Sequence, residues 1–412
     1  MPFRLPQQRL QVTLLSLLER VPWFGWAIWI VIVVAVLLRT HPRRYGAAFG
    51  YYFDFAAKLW AEQPVYNPST LGDVSYWPTS LLLMVPLAWL GETPAAAVSF
   101  ATFAALLTWG AVAFTRALFD DRPGAFWIAG LLLAVNVWAG WYHFKHVQLQ
   151  IPMVAGMMLA TAAIMRGRDQ LASLWLSIAL IIKPLALVMI LLAAALVPRM
   201  RLLLIAGIVV AAVLPFAFLH WDYLIGQYQA LGMKLWVVAT APPGEWIYQA
   251  DFTTLLRGLG IALPGKVTFA IRLAVAVGTL WLAWRVRETG DRKAFALALL
   301  MLSGLYITLF GPRNENVSYL AVTPAISAVA FLMVLRNGAD PRGWLLIVTC
   351  QALGYVVSVP VDVVTKPAII VVIYVWMAAL MIQPRRWCAL MPAALPQANA
   401  DPAPAAATKP AS

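Results

Sequence analysis

Asp54 stands in the stretch YYFDFAAKLW, with Tyr51, Tyr52, Phe53 and Phe55 around it, in one of the few long polar intervals of the first half of the chain. A carboxylate partly desolvated by aromatic neighbours is suited to take a proton from an attacking hydroxyl, which makes Asp54 the candidate general base. Two structural roles compete with that one: a helix N-terminal carboxylate favoured by the dipole, and an ion pair with Lys58 four residues on. Lys183 sits alone between two short apolar segments (LIIKPLAL), and a lysine deep in a bilayer costs about 3 kcal/mol unless it faces a polar cavity. Arg313, in GPRNENVS, could grip an anion with two parallel donors or pair locally with Glu315. Isolated cations converging on one face suit an anion such as a phosphate. His143 and His146 lie three apart, but no third ligand stands at a convincing spacing, so no metal is expected. Asp120 and Asp121 are read as balancing Arg116 and Arg122.

The elements that must position these residues are transmembrane. The 412 residues are 62% apolar and only 11% charged, more apolar surface than a soluble domain can hide. Apolar runs near the ~20-residue spanning length predict an all-α polytopic membrane protein of about 12 transmembrane helices. The runs fall at 21–38, 94–118, 123–141, 148–165, 171–182, 184–197, 202–219, 264–284, 294–310, 317–335, 343–359 and 367–383. The segment 79–91 is too short to cross and reads as re-entrant or interfacial. This register puts the basic connectors 116–122, 166–169, 198–201, 285–293 and 336–342 on one side with both termini, the cytoplasmic side by the positive-inside rule. Two long loops, about 39–78 and 220–263, then lie outside, as do the turns carrying Lys145, Lys183, Arg313 and Lys366. Lys366 reads as an ordinary helix-end or snorkelling charge. The net charge of +13 comes mostly as pairs between apolar runs, a topology signal rather than a nucleic-acid footprint. Residues 1–383 read as one transmembrane domain and 384–412 as a disordered, Pro/Ala-rich cytoplasmic tail. Cys350 and Cys388 are not expected to form a disulfide.

Several of these segments, in this order, resemble a known family. Asp54 in YYFDFAAKLW, then PVYNP (64–68), SYWP (75–78) and VPLAWLG (85–91), resemble the first outer loop of polyprenyl-phosphate-dependent glycosyltransferases of the GT-C superfamily, nearest to glycosyltransferase family 87 and its mycobacterial mannosyltransferases. HVQLQ (146–150), Lys183-Pro184, QADFTTLLRGLG (249–260) and PRNENVSYLAVTP (312–324) are similar to later segments of that family. Trp77-Pro78-Thr79 stands where the family has Tyr-Pro-Pro, and HVQLQ lacks its Gly and Asn.

The resemblance implies a GT-C-like fold and a transferase that moves one sugar, of the mannose or arabinose class, from a polyprenyl phosphate to an acceptor hydroxyl, with inversion and without a metal or other cofactor. It implies Asp54 as catalytic base and Lys183, Arg313 and His146 at the donor phosphate. Tyr52, Tyr76, Trp77, Gln148, Asn314, Glu315 and Tyr319 become candidates for sugar or acceptor. Each has a plainer role: Tyr76 and Trp77 in an interfacial aromatic belt, His146 and Gln148 as helix-end polar groups, Asn314 and Glu315 as caps of the helix near Val317. The implied partners are the lipid-linked sugar, a glycolipid or polysaccharide acceptor and the bilayer, with no nucleic acid. The implied location is a bacterial inner (plasma) membrane, as part of cell-envelope assembly, with the site on the outer face. A secondary transporter, a lipid flippase and an integral-membrane acyltransferase remain open beside it. No inverted repeat favours the transporter, and His143 with His146 would serve an acyltransferase.

Overall fold

The computed structural model describes residues 23–38, 47–67, 76–122, 124–240, 250–311, 318–337, 340–354 and 359–392. Among them the chain is helical throughout and contains no strand. The helices are α1 (Phe24–Leu38), α2 (Ala47–Trp60), α3 (Pro78–Leu82), α4 (Val85–Ala88), α5 (Glu92–Leu118), α6 (Gly124–Lys145), α7 (Gln150–Met165), α8 (Asp169–Ile182) and α9 (Leu187–Leu196). They continue with α10 (Arg201–Val213), α11 (Trp221–Thr240), α12 (Phe252–Gly258), α13 (Gly265–Arg287), α14 (Arg292–Phe310), α15 (Thr323–Asn337), α16 (Pro341–Gly354), α17 (Val359–Ile382) and α18 (Pro384–Cys388). Among the described residues, six helical stretches are long and apolar enough to cross a membrane.

Which of these apolar helices form the core follows from side-chain size. Every residue of α7 is buried, and its sequence QIPMVAGMMLATAAIM is rich in Ala, Gly and Met. Small residues let backbones approach closely where no hydrophobic effect drives helices together. α14 is nearly as interior, whereas α10 and α13 present Leu202, Ile205, Leu273 and Val277 outward, as lipid-facing helices must. Gly25 brings α1 close to α6: a methyl group there would lie 2.5 Å from the backbone of Gly130.

The bundle has two chemically distinct ends. At one, Arg116 and Arg166 both reach Asp121, Arg292 lies 3.7 Å from Asp169, and Lys293 donates to Asp120 at 2.5 Å, so three of the predicted basic connectors meet directly. α8 runs from Asp169 at that end to Ile182 at the other, where Lys183 approaches Tyr76 and Ser80 Oγ donates to the Ile181 carbonyl. Thus the first long loop and Lys183 share the end opposite these connectors, as the parity of the apolar runs required.

Three expectations need amending. The two long outer loops are partly helical, containing α2, α11 and α12, because each carries an amphipathic stretch rather than turn residues alone. The last apolar run begins at Val359, not 367, and the Asp362–Lys366 pair lies within helical turns read from the sequence as an outer turn. The tail does not lose structure at 384: α18 docks through Trp387, fully buried, whose indole donates to the Ala294 carbonyl at 2.9 Å. Residues 393–412 lie outside the described residues.

Candidate active site

α2 is amphipathic, with Phe49, Tyr52, Phe55, Ala56 and Leu59 buried and Asp54 and Lys58 exposed. At 100° per residue, Asp54 faces away from Tyr52 and Ala56. Neither plainer role for Asp54 survives. It lies in the middle of α2 rather than at its N-terminus, and among the described residues it makes no ion pair or hydrogen bond. Lys58 sits instead 5.3 Å from the centroid of the Phe55 ring. The expected shielding by aromatic neighbours is not observed: Tyr52 and Phe55 turn into the protein, and Asp54 stays open. One turn before it, Gly50 lies beside Glu92, whose Oε1 would be 3.5 Å from a methyl group there. A second carboxylate therefore borders the Asp54 flank of α2. Sequence reasoning missed Glu92 because it opens α5, where a first-turn acid is unremarkable.

The buried face of α2 carries a tyrosine lattice. The Tyr52 and Tyr76 hydroxyls are 2.9 Å apart and their rings meet edge-on at 5.2 Å. Tyr66 donates to the Tyr76 carbonyl at 2.7 Å. Burial, reinforced by Tyr228 and Tyr223, holds the Tyr66 phenol well above its ordinary value, so it acts as a neutral donor. Lys183 lies 5.6 Å from the centroid of the Tyr76 ring, a cation–π contact. Pro184 is the local cause of that placement. The residue before a proline is pushed out of the helical region, and Lys183 takes φ −149°, ψ 124° between α8 and a 3-10 turn. Trp77, extended before Pro78, packs beside the lattice and is half-buried.

A clasp ties this region to the second long loop. Gln227 accepts from the Val65 amide at 3.0 Å, Tyr223 donates to the Gln63 carbonyl at 2.8 Å, and Glu62 accepts from the His220 amide at 2.9 Å and ring at 2.7 Å. Burial pushes the Tyr223 phenol up to about 12, with the Glu62 charge adding. The His220 amide, more than its ring, holds the Glu62 carboxyl below its usual value. Lys234 on α11 is fully buried, a cation the sequence hid inside what looked like a loop.

His146 and Gln148 belong to the turn between α6 and α7. The Gln148 amide oxygen accepts from His143 Nδ1, which fixes the ring proton there, and His146 lies against Tyr142 with centroids 4.0 Å apart. Val147 takes φ +46°, strained for a β-branched residue, and lies in the turn between His146 and Gln148.

Tyr319 belongs to a third group, fully buried, its hydroxyl donating to the Ala250 carbonyl at 3.2 Å. Lys366 lies 5.9 Å from that ring and 3.3 Å from Asp362. Lys366 is therefore not a snorkelling helix-end charge: at 2% exposure it forms a buried ion pair. Nearby, Asp251 caps α12 through Thr253 and Thr254 and meets Arg272 at 3.3 Å. Arg313, Asn314 and Glu315 lie outside the described residues.

The model of glycosyltransferase family 87 matches residues 75–312, more than half of the chain. The chain belongs to that family. That membership accounts for the GT-C-like membrane architecture expected from the sequence. Tyr76, Trp77, His146, Gln148 and Lys183 fall inside the matched region; Asp54, Tyr319 and Lys366 fall outside it. No curated protein matches the sequence at a significant level. Among solved structures the chain is similar to the oligosaccharyltransferase of Archaeoglobus fulgidus in its apo form, at 14% identity and TM-score 0.39, over 84% of this chain and 56% of that one. It is also similar to the Archaeoglobus fulgidus oligosaccharyltransferase AglB in complex with an inhibitory peptide and a dolichol-phosphate, at 13% identity and TM-score 0.35, over 90% of this chain and 56% of that one. The chain thus spans little more than half the length of these neighbours, and the likeness is too distant to transfer a site.

Proposed function

We propose that this family 87 glycosyltransferase moves one sugar, of the mannose or arabinose class, from a polyprenyl phosphate to a hydroxyl of a glycolipid or polysaccharide, with inversion at the anomeric carbon. The observation that carries the reading is the state of Asp54: an open carboxylate in mid-helix that the described fold uses for neither a cap nor an ion pair. In the reaction, Asp54 takes the acceptor's O–H proton as the new O–C1 bond forms. The C1–O bond to phosphate breaks on the opposite face, and the polyprenyl phosphate leaves with the bonding pair. Lys183, half-buried over Tyr76, meets the charge that develops on the departing phosphate. Arg313 and His146 are its proposed companions, and Tyr52, Tyr76, Trp77, Gln148, Asn314, Glu315 and Tyr319 line the sugar and acceptor positions. Asp54 needs no aromatic shield in the free enzyme, because a bound lipid-linked sugar would itself exclude water from it.

The end bearing Lys183 is the outer face in this proposal and the cross-paired connectors are cytoplasmic, in a bacterial plasma membrane, because basic connectors favour the cytoplasm. The family assignment displaces the transporter, flippase and acyltransferase readings. Metal independence is proposed from the donor set: His143 is engaged by Gln148 and His146 lies on Tyr142. The test is donor choice in proteoliposomes. Polyprenyl-phosphate mannose or arabinose should be consumed in the presence of a chelator and yield an inverted product. Turnover of a nucleotide sugar alone, retention at the anomeric carbon, or loss of rate on chelation would each refute the matching part of the proposal.

A further inference from the structure

The connector end contains a cavity of about 420 Å³, large enough for a lipid headgroup. Three guanidinium groups line it, from Arg199, Arg287 and Arg292, together with the carboxylates of Asp169 and Asp291. Both carboxylates are already engaged. Asp291 accepts from the Lys293 and Ala294 amides as the cap of α14, and Asp169 lies 3.7 Å from Arg292. Arg292 also lies close to Gly167, its Nη1 2.6 Å from where a methyl group there would be. Among the described residues, Arg199 and Arg287 make no ion pair. With three arginines against two carboxylates, the lining carries net positive charge.

Its inner wall is apolar, formed by Ile164, Leu196 and Phe295. Arg199 lies in the 3-10 turn Pro198–Met200 that leads into α10, and Arg287 ends α13; the flanks of these two helices face lipid through Leu202 and Leu273. Trp281 and Trp284, exposed within two turns of Arg287, mark the level of the bilayer–water boundary on α13. A net cationic lining, an apolar wall and that depth describe an amphiphile with an anionic head rather than a soluble anion.

We infer that this cavity binds the phosphate headgroup of an anionic membrane lipid, separately from the sugar-transfer site at the other end of α8. Basic pockets between membrane helices take such headgroups through the same combination of charge and depth. The inference does not depend on the identity of the sugar or on Asp54.

The test uses the full-length protein in nanodiscs of mixed phosphatidylglycerol and phosphatidylcholine, with retained lipid read by native mass spectrometry. The wild type should retain phosphatidylglycerol preferentially. Arg199→Ala with Arg287→Ala should lower that retention about tenfold. Val197→Trp, which fills the cavity and leaves every charge in place, should lower it as well. Arg385→Ala with Arg386→Ala, basic residues of α18 that do not line the cavity, should leave it unchanged. Undiminished retention in the Arg199/Arg287 variant, or an equal loss in the Arg385/Arg386 variant, would overturn the inference. Calorimetric titration with inorganic phosphate should show no measurable binding; tight binding that disappears in the Arg199/Arg287 variant would assign the cavity to a soluble anion instead.

Discussion

Two groups of ionisable residues occupy the Lys183 end of the bundle, and the fold treats them oppositely. Asp251 with Arg272 and Asp362 with Lys366 are buried and paired, each carboxylate within 3.3 Å of its cation. Among the described residues Asp54 is open and unpaired, and Lys183 makes no ion pair and meets the face of the Tyr76 ring. Both groups look alike as sequence: isolated acids and bases in an apolar chain. What separates them is whether the protein has already neutralised the charge. A paired charge holds helices together, and an unpaired one is available to a substrate.

The comparison can be broken first at the buried group. Lys366→Met leaves the Asp362 carboxyl uncompensated and should destabilise the protein by about 3–5 kcal/mol, read as a lowered unfolding midpoint in detergent. Combining it with Asp362→Leu should restore most of the loss. If Lys366→Met unfolds like the wild type but no longer transfers sugar, Lys366 belongs with the substrate-facing charges. At the open group the pattern should reverse. Lys183→Ala should leave the unfolding midpoint unchanged while lowering turnover by about 10²–10³-fold, the size expected for one donor to developing charge. Tyr76 sharpens this further. Tyr76→Phe keeps the ring under Lys183 and should cost little turnover, whereas Tyr76→Leu removes the ring and should weaken donor binding by about 1 kcal/mol. The smallest effect belongs to the loop clasp. Glu62 is held below its ordinary value by the His220 amide, so its contribution is present above the usual carboxylate range and is lost as pH falls through the lowered folded value. Hydrogen exchange at the His220 amide should accelerate on acidification in the wild type and be pH-insensitive, beyond the intrinsic rate, in Glu62→Gln.

The sequence carried the helices further than it carried the site. Apolar runs anticipated the all-helical fold, although six rather than twelve described helices are long and apolar enough to span, and the parity of basic connectors anticipated that Asp120, Asp121, Asp169 and Lys293 would meet at one end. Lys183 was conspicuous in the sequence as a lone cation between two short apolar segments. Burial was less legible. Nothing local distinguished Lys366, which is enclosed, from Lys58, which is exposed, because the difference is made by which helices pack around each. The aromatic residues beside Asp54 misled for a related reason. Neighbours in sequence leave a helix at 100° intervals, so Tyr52 and Phe55 could enter the protein without covering the carboxylate between them. Glu92 was invisible because its partner surface, Gly50, is contributed by a different helix.

The central claim is that Asp54 is the base. It is tested most directly by donor turnover of Asp54→Asn beside Asp251→Asn, in proteoliposomes matched for folded protein. The account predicts that Asp54→Asn loses about 10²–10⁴-fold in rate with an unchanged unfolding midpoint, while Asp251→Asn loses stability with its ion pair to Arg272 and keeps its rate per folded molecule. Wild-type turnover by Asp54→Asn would contradict it.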